Sequence, residues 1–137
     1  MKKLTLLGCI VVAMIVVSGC KSSNPYAGTY VGTLSSTVGN VNKENLKMIF
    51  TAGVIDETNL NLYGLPLTKL SEEKYKAEGE LVVKIIQLVS SSTTLDQIKD
   101  ATFVFEFSDG AVKMDARYEV LGGLADINVM TYQGKKQ

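Results

Sequence analysis

The sequence predicts an all-β domain: a single small antiparallel meander of about eight strands, closed into a β-barrel and preceded by a leader. Three observations predict it. Beyond residue 25 the apolar residues recur mostly with a period of two, the pattern of strands with one buried face. Turn-forming pairs, Asp109-Gly110 and Gly122-Gly123 among them, separate the alternating runs. Finally, such a meander has no disulfide to staple it, and closing the sheet abolishes its exposed edges. A two-sheet β-sandwich is the alternative arrangement of the same strands.

The leader comes first. Lys2 and Lys3 precede an apolar run from Leu4 to Val17. A membrane-spanning helix needs about 20 apolar residues, so this run has the length of a secretory signal instead. Val17-Ser18-Gly19-Cys20 is similar to the lipobox of bacterial lipoproteins, an aliphatic residue and two small ones before cysteine. That resemblance implies cleavage between Gly19 and Cys20, diacylglycerol on the Cys20 thiol and acylation of the new amino group. A plain signal with a chance cysteine is the competing reading. Stable attachment takes more than one acyl chain, at about 0.8 kcal/mol per buried methylene, and a lipidated Cys20 supplies them. Cys9 departs with the signal, so Cys20 has no cysteine to pair with. Residues 1–19 therefore read as signal peptide, 20–25 as lipidated cysteine and tether, and 26–137 as the barrel.

Without Lys2 and Lys3, twelve basic side chains face fourteen acidic ones, and these are interspersed. That balance gives no electrostatic footprint for nucleic acid. One domain with one core fits the 118 residues from Cys20 to Gln137.

The strands follow in order. "YAGTYVGTL" (26–34) places Tyr26, Tyr30 and Leu34 on one face, with Gly28 and Gly32 between them. Alternating large and small inward residues suit the taper of a small barrel. "NLKMIFT" groups Leu46, Met48 and Phe50, and "TNLNLY" groups Leu60 and Leu62. A short strand covers Leu67 to Leu70, and "SEEK" turns the chain into a strand from Tyr75 to Leu88, with Gly79 as a bulge or bend. In "SSSTTLDQIKD", Thr94 and Gln97 have capping-box spacing, while Leu95 and Ile98 form the apolar side of one turn. The segment reads as a loop, or as a small plug over one barrel end.

The firmest element is "TFVFEFSDGAVKMDARYEV" (102–120). A two-residue turn at Asp109-Gly110, with positive φ at both positions, sets Phe107 opposite Val112, Phe105 opposite Met114 and Phe103 opposite Ala116. On the other face Glu106 meets Lys113, a favourable charge pair. The last strand runs from Ala125 to Gln133 with Ile127 and Val129 inward, although Met130 and Tyr132 compete for that parity.

"YAGTYVGTL" directly after a lipobox tether, with a closing strand ending "YQGKK", resembles the calycin-like β-barrel lipoproteins of Bacteroidota. Gly28-Thr29-Tyr30 is also similar to the glycine-x-aromatic opening of lipocalins, whose tryptophan is absent from this chain. The resemblance implies a β-barrel and a cell-envelope address, and it brings no catalytic residues. Lys21-Ser22-Ser23-Asn24 lacks the acidic run of surface-exported lipoproteins in that group, which points to the outer membrane facing the periplasm.

The chemistry is mostly negative. With no histidine in the chain there is no histidine general base, no histidine-containing triad and no imidazole metal ligand. "SEEK" matches the Ser-x-x-Lys of penicillin-binding enzymes without the companion motifs, so it reads as a turn. Asp109-Gly110 lacks oxygen ligands at calcium-loop spacing. The sequence thus predicts no enzyme, no catalytic residue, no metal and no cofactor.

What remains is the interior. Tyr30, Leu34, Met48, Phe50, Leu60, Leu62, Phe103, Phe105, Met114 and Tyr118 are the expected inward residues and the candidate ligand lining. Such walls suit an apolar ligand with a polar group, or they simply fill a narrow eight-stranded barrel. Two functions stay open: a non-enzymatic envelope lipoprotein that binds a small apolar ligand, and an accessory lipoprotein that holds an envelope protein through its rim or outer face. Both contact the membrane through Cys20.

Overall fold

The computed structural model describes residues 24–37, 40–91, 93–120 and 128–137. The leader with Gly19 and Cys20, the Gly122-Gly123 turn and Ile127 lie outside the described residues. The described chain forms one antiparallel sheet of nine strands. These are β1 (Gly28–Ser36), β2 (Val41–Ala52), β3 (Leu60–Leu62), β4 (Leu65–Pro66), β5 (Thr68–Lys69), β6 (Lys74–Ala77), β7 (Ile98–Ser108), β8 (Ala111–Val120) and β9 (Asn128–Lys136). Helix α1 (Glu80–Ile86) and a 3-10 turn at Leu95–Gln97 lie between β6 and β7.

The sheet order is β4-β3-β2-β1-β9-β8-β7-β6-β5, so its two edges are consecutive in sequence and joined through Leu67. Leu67 donates its N–H to the Leu60 carbonyl at 2.8 Å and buries its side chain. The sheet therefore curls into a nearly closed barrel, with the polypeptide itself bridging the seam, and the sandwich is not adopted. The count is nine where the sequence predicts eight, because Leu65–Pro66 pairs with β3 while Thr68–Lys69, beyond Leu67, pairs with β6.

The β7–β8 hairpin has the expected register: Phe107 faces Val112, Phe105 faces Met114, Phe103 faces Ala116, and Glu106 faces Lys113. Glu106 also lies 3.6 Å from the Lys74 ammonium on β6. The turn differs from the expectation in one respect. Gly110 has φ +66°, whereas Asp109 is not among the residues with positive φ. Only the second turn position needs the left-handed region that glycine enters without steric cost.

Two expected strands differ. The run from Tyr75 to Leu88 divides: β6 ends at Ala77, and Gly79 (φ +58°) starts α1. Leu81, Val82, Val83, Ile85 and Ile86 are all buried. A helix apolar around most of its girth shows little periodicity, and its β-branched residues read as strand. In β9 the inward residues are Met130 and Tyr132, both fully buried, and not Val129, which is partly exposed. Pairing with β1, Gly32 against Gly134 and Leu34 against Tyr132, fixes that parity.

Strand directions define two ends. At one lie Asn24, the β2–β3 loop (residues 53–59), the β5–β6 turn (residues 70–73) and the Asp109-Gly110 turn. At the other lies α1, where Lys84 reaches the Tyr63 carbonyl and Lys43 reaches that of Leu88. Asn24, read from the sequence as tether, is only 6% exposed. Its amide donates to the Thr58 carbonyl and the Tyr75 hydroxyl, both at 2.7 Å, and its own oxygen accepts from the Tyr26 N–H.

Candidate functional site

Side chains alternate across a strand, so β1, β3 and β8, together with Met48–Phe50 of β2 and Phe103–Phe107 of β7, send alternate residues inside. Tyr30, Leu34, Met48, Phe50, Leu60, Leu62, Phe103, Phe105, Met114 and Tyr118 are all at most 1% exposed. Cross-strand pairing sets Tyr30 against Met48, Phe50 against Leu62 and Phe105 against Met114. The expected inward set is thus one cluster, and Cys20 lies outside the described residues.

Near the Asn24 end this cluster is a set of interlocked rings. Phe107 stacks on Tyr26 at 4.9 Å and meets Phe50, Tyr30 and Tyr75 edge-on at 5.1, 5.7 and 5.7 Å. Phe50 adds edge contacts to Tyr30 and Phe105 at 5.5 and 5.4 Å. Such edge-to-face pairs are the favourable geometry for aromatic quadrupoles. Further up, Phe103 and Tyr118 lie 5.7 Å apart. Leu81, Val82, Ile85 and Ile86 of α1 belong to the same core and cover the opposite end. The plug is therefore α1. The segment weighed for that role folds instead as a 3-10 turn, with the Thr94 N–H donating to Gln97 Oε1 at 3.0 Å, and Leu95 is half exposed.

Two inner hydroxyls, those of Tyr30 and Tyr132, are bonded to backbone carbonyls. Tyr30 donates to the Tyr26 carbonyl at 3.0 Å. Tyr132 bonds the Leu46 and Tyr30 carbonyls at 2.9 and 3.2 Å. The Tyr118 hydroxyl is buried with no partner at hydrogen-bond distance among the described residues. Burial raises the Tyr30, Tyr63 and Tyr118 hydroxyls above the usual phenol value, with a small opposing pull from Ser36 on Tyr118. Burial, with a lesser contribution from Tyr63, pushes Tyr132 up to about 12. These phenols stay neutral at physiological pH, and those of Tyr30 and Tyr132 serve as fixed dipoles bonded to backbone carbonyls.

Phe107, Tyr75, Met130, Tyr132 and the apolar residues of α1 (Leu81, Val82, Val83, Ile85 and Ile86) are absent from the sequence-predicted lining, though all are buried core. Phe107 was legible, since it shares the parity of Phe103 and Phe105. The α1 residues were hidden by reading their run as strand.

Comparison with known proteins adds no assignment: no family model, no curated protein and no solved structure matches the chain. Among the described residues no group of three or more carboxylates, cysteines and histidines could hold a metal ion. Nor is any described helix long and apolar enough to cross a membrane.

The outer wall carries a groove of about 490 Å³ along β1, β9 and β8. Its floor is backbone at Gly32 and Gly134, and its sides are Val31, Ala111, Lys113, Gln133 and Lys135. A Cβ on Gly32 would sit 1.8 Å from the Gln133 carbonyl oxygen, so only glycine allows the close approach of β1 and β9 there.

Proposed function

We propose that the chain is a non-enzymatic lipoprotein of the cell envelope, anchored through Cys20 at the outer membrane facing the periplasm. It acts as an accessory module, engaging an envelope partner through its rim and outer face. One observation carries this reading: the side chains expected to line a ligand pocket pack against one another and against α1. Interiors at crystal-like packing density leave few voids for a guest. The Tyr30 and Tyr132 hydroxyls, which a polar ligand group would need, are already bonded to backbone carbonyls.

A second reading, a carrier of a small apolar molecule, draws on Met48, Met114 and Met130 in the same core. Unbranched thioether side chains re-pack readily and adapt to irregular guests. Native mass spectrometry of protein purified gently from its host, with titration of a fluorescent fatty acid, separates the two. The accessory reading expects no co-purifying small molecule and no saturable probe binding. A stoichiometric guest overturns it in favour of the carrier.

A further inference from the structure

We propose that the β2–β3 loop inserts its tip, Val54-Ile55, into the bilayer that carries the Cys20 lipid, so that the barrel stands on its Asn24 end; this rests on the anchor reading above. The tip is the most exposed large apolar feature among the described residues, with Val54 92% and Ile55 102% exposed. Leu70, in the neighbouring β5–β6 turn at the same end, is 52% exposed. Scattered single apolar residues on a surface are ordinary, whereas a cluster at one end marks a contact surface.

The loop is built to present this tip. Asp56 accepts from the Thr58 N–H and hydroxyl at 2.9 and 2.6 Å, the Asn59 N–H donates to the Asp56 carbonyl, and the Gly53 N–H donates to that of Asn59. Backbone and side-chain bonds thus close the base of the loop while its two aliphatic residues point into solvent. These bonds leave the loop base less backbone freedom to lose on insertion.

The length of chain ahead of the structure decides what covers the tip. Asn24 is clamped to this same loop through the Thr58 carbonyl. From Asn24 back to Cys20 is four residues, a reach of at most about 14 Å. A lipid on Cys20 therefore holds this end of the barrel, and no other, against the membrane surface. The flank charges argue for apolar insertion over attraction to anionic headgroups: Asp56, Glu57, Glu72, Glu73 and Asp109 share the end with Lys69, Lys74 and Lys136. A polybasic patch would be needed for the electrostatic alternative.

The chain contains no tryptophan, so single-tryptophan variants report on one site each. Ile55→Trp and, as the opposite-end control, Leu95→Trp are expressed in the host and palmitate-labelled. The lipidated chains are then reconstituted into phosphatidylcholine–phosphatidylethanolamine vesicles carrying brominated acyl chains. The proposal expects a shift to shorter emission wavelength and bromine quenching at residue 55, neither at residue 95, and loss of both when Val54→Asp is added to Ile55→Trp. A labelled chain whose residue-55 tryptophan stays water-like overturns the loop proposal alone, as does quenching at residue 95. Shielding of residue 55 only on adding envelope protein overturns it in favour of a protein partner. A chain that takes no palmitate overturns the anchor reading, and the proposal with it.

Discussion

Tyr132 lies across Gly134 on the inner face of β9. A Cβ on Gly134 would fall 2.6 Å from the Tyr132 hydroxyl and 2.8 Å from its ring. The ring occupies the space a side chain at 134 would take, and its hydroxyl ties β9 to the carbonyls of Tyr30 and Leu46. An aromatic laid over a strand glycine is a known way to seal a barrel wall. Gly134→Ala should therefore cost about 1–3 kcal/mol by overpacking. In a Tyr132→Leu background the same change should cost less, giving a coupling of at least about 0.5 kcal/mol in a double-mutant cycle of urea melts. Additive effects would mean that the ring does not cover the glycine.

The same hydroxyl predicts an alkaline limit. Tyr132 is raised to about 12 in the folded state, above the ordinary phenol value of about 10. A raised folded value favours the protonated form in the fold, so its contribution is complete below about pH 10 and is lost as pH rises towards about 12. Tyr30, Tyr63 and Tyr118 shift in the same direction. Melts of wild type from pH 8 to 12 should show falling stability above about pH 10, and Tyr132→Phe should flatten that fall. An unchanged slope in the variant would remove Tyr132 from the effect.

Gly110 separates backbone cost from steric cost. Nothing lies within 4 Å of a Cβ placed there, yet its φ is +66°. Gly110→Val should lose more than about 1 kcal/mol by backbone incompatibility alone. Gly110→Asn, which tolerates the left-handed region, should lose less. Equal losses in denaturant melts would point to a cause other than φ.

Phe107 is the ring with the most ring neighbours in the core, touching Tyr26, Tyr30, Phe50 and Tyr75. Phe107→Ala should cost about 3–5 kcal/mol through transfer and cavity terms. It should exceed Phe103→Ala, whose ring meets Tyr118 in a tilted contact. Near-wild-type stability of Phe107→Ala would mean that the Asn24 end is loosely packed.

The β7–β8 hairpin was legible because three independent signals agreed: alternation, an Asp-Gly turn, and one register that paired both faces sensibly. The inward residues of β1, β2 and β3 were legible for the same reason, since a one-residue slip would have exposed them all. Helix α1 was not, because burial on most sides erases the period that marks a helix. The parity of β9 was hidden in the Gly32–Gly134 pairing, a tertiary contact invisible along either strand. Asn24 looked like linker by composition, and its burial depends on partners 34 and 51 residues away in sequence.

The place of β1 in the sheet has a mechanical meaning. It is flanked on both sides, by β2 and β9, and it begins just after the clamped Asn24. Under the proposed anchoring, a pull between the Cys20 tether and a partner at the far rim would run along the axis of this strand. Both flanking ladders then carry the load in shear, and their hydrogen bonds must yield together instead of unzipping singly. Resistance to such a force is governed by the unfolding rate and not by equilibrium stability. The Asn24 amide bonds to Thr58 and Tyr75, ahead of the strand, come first in that load path.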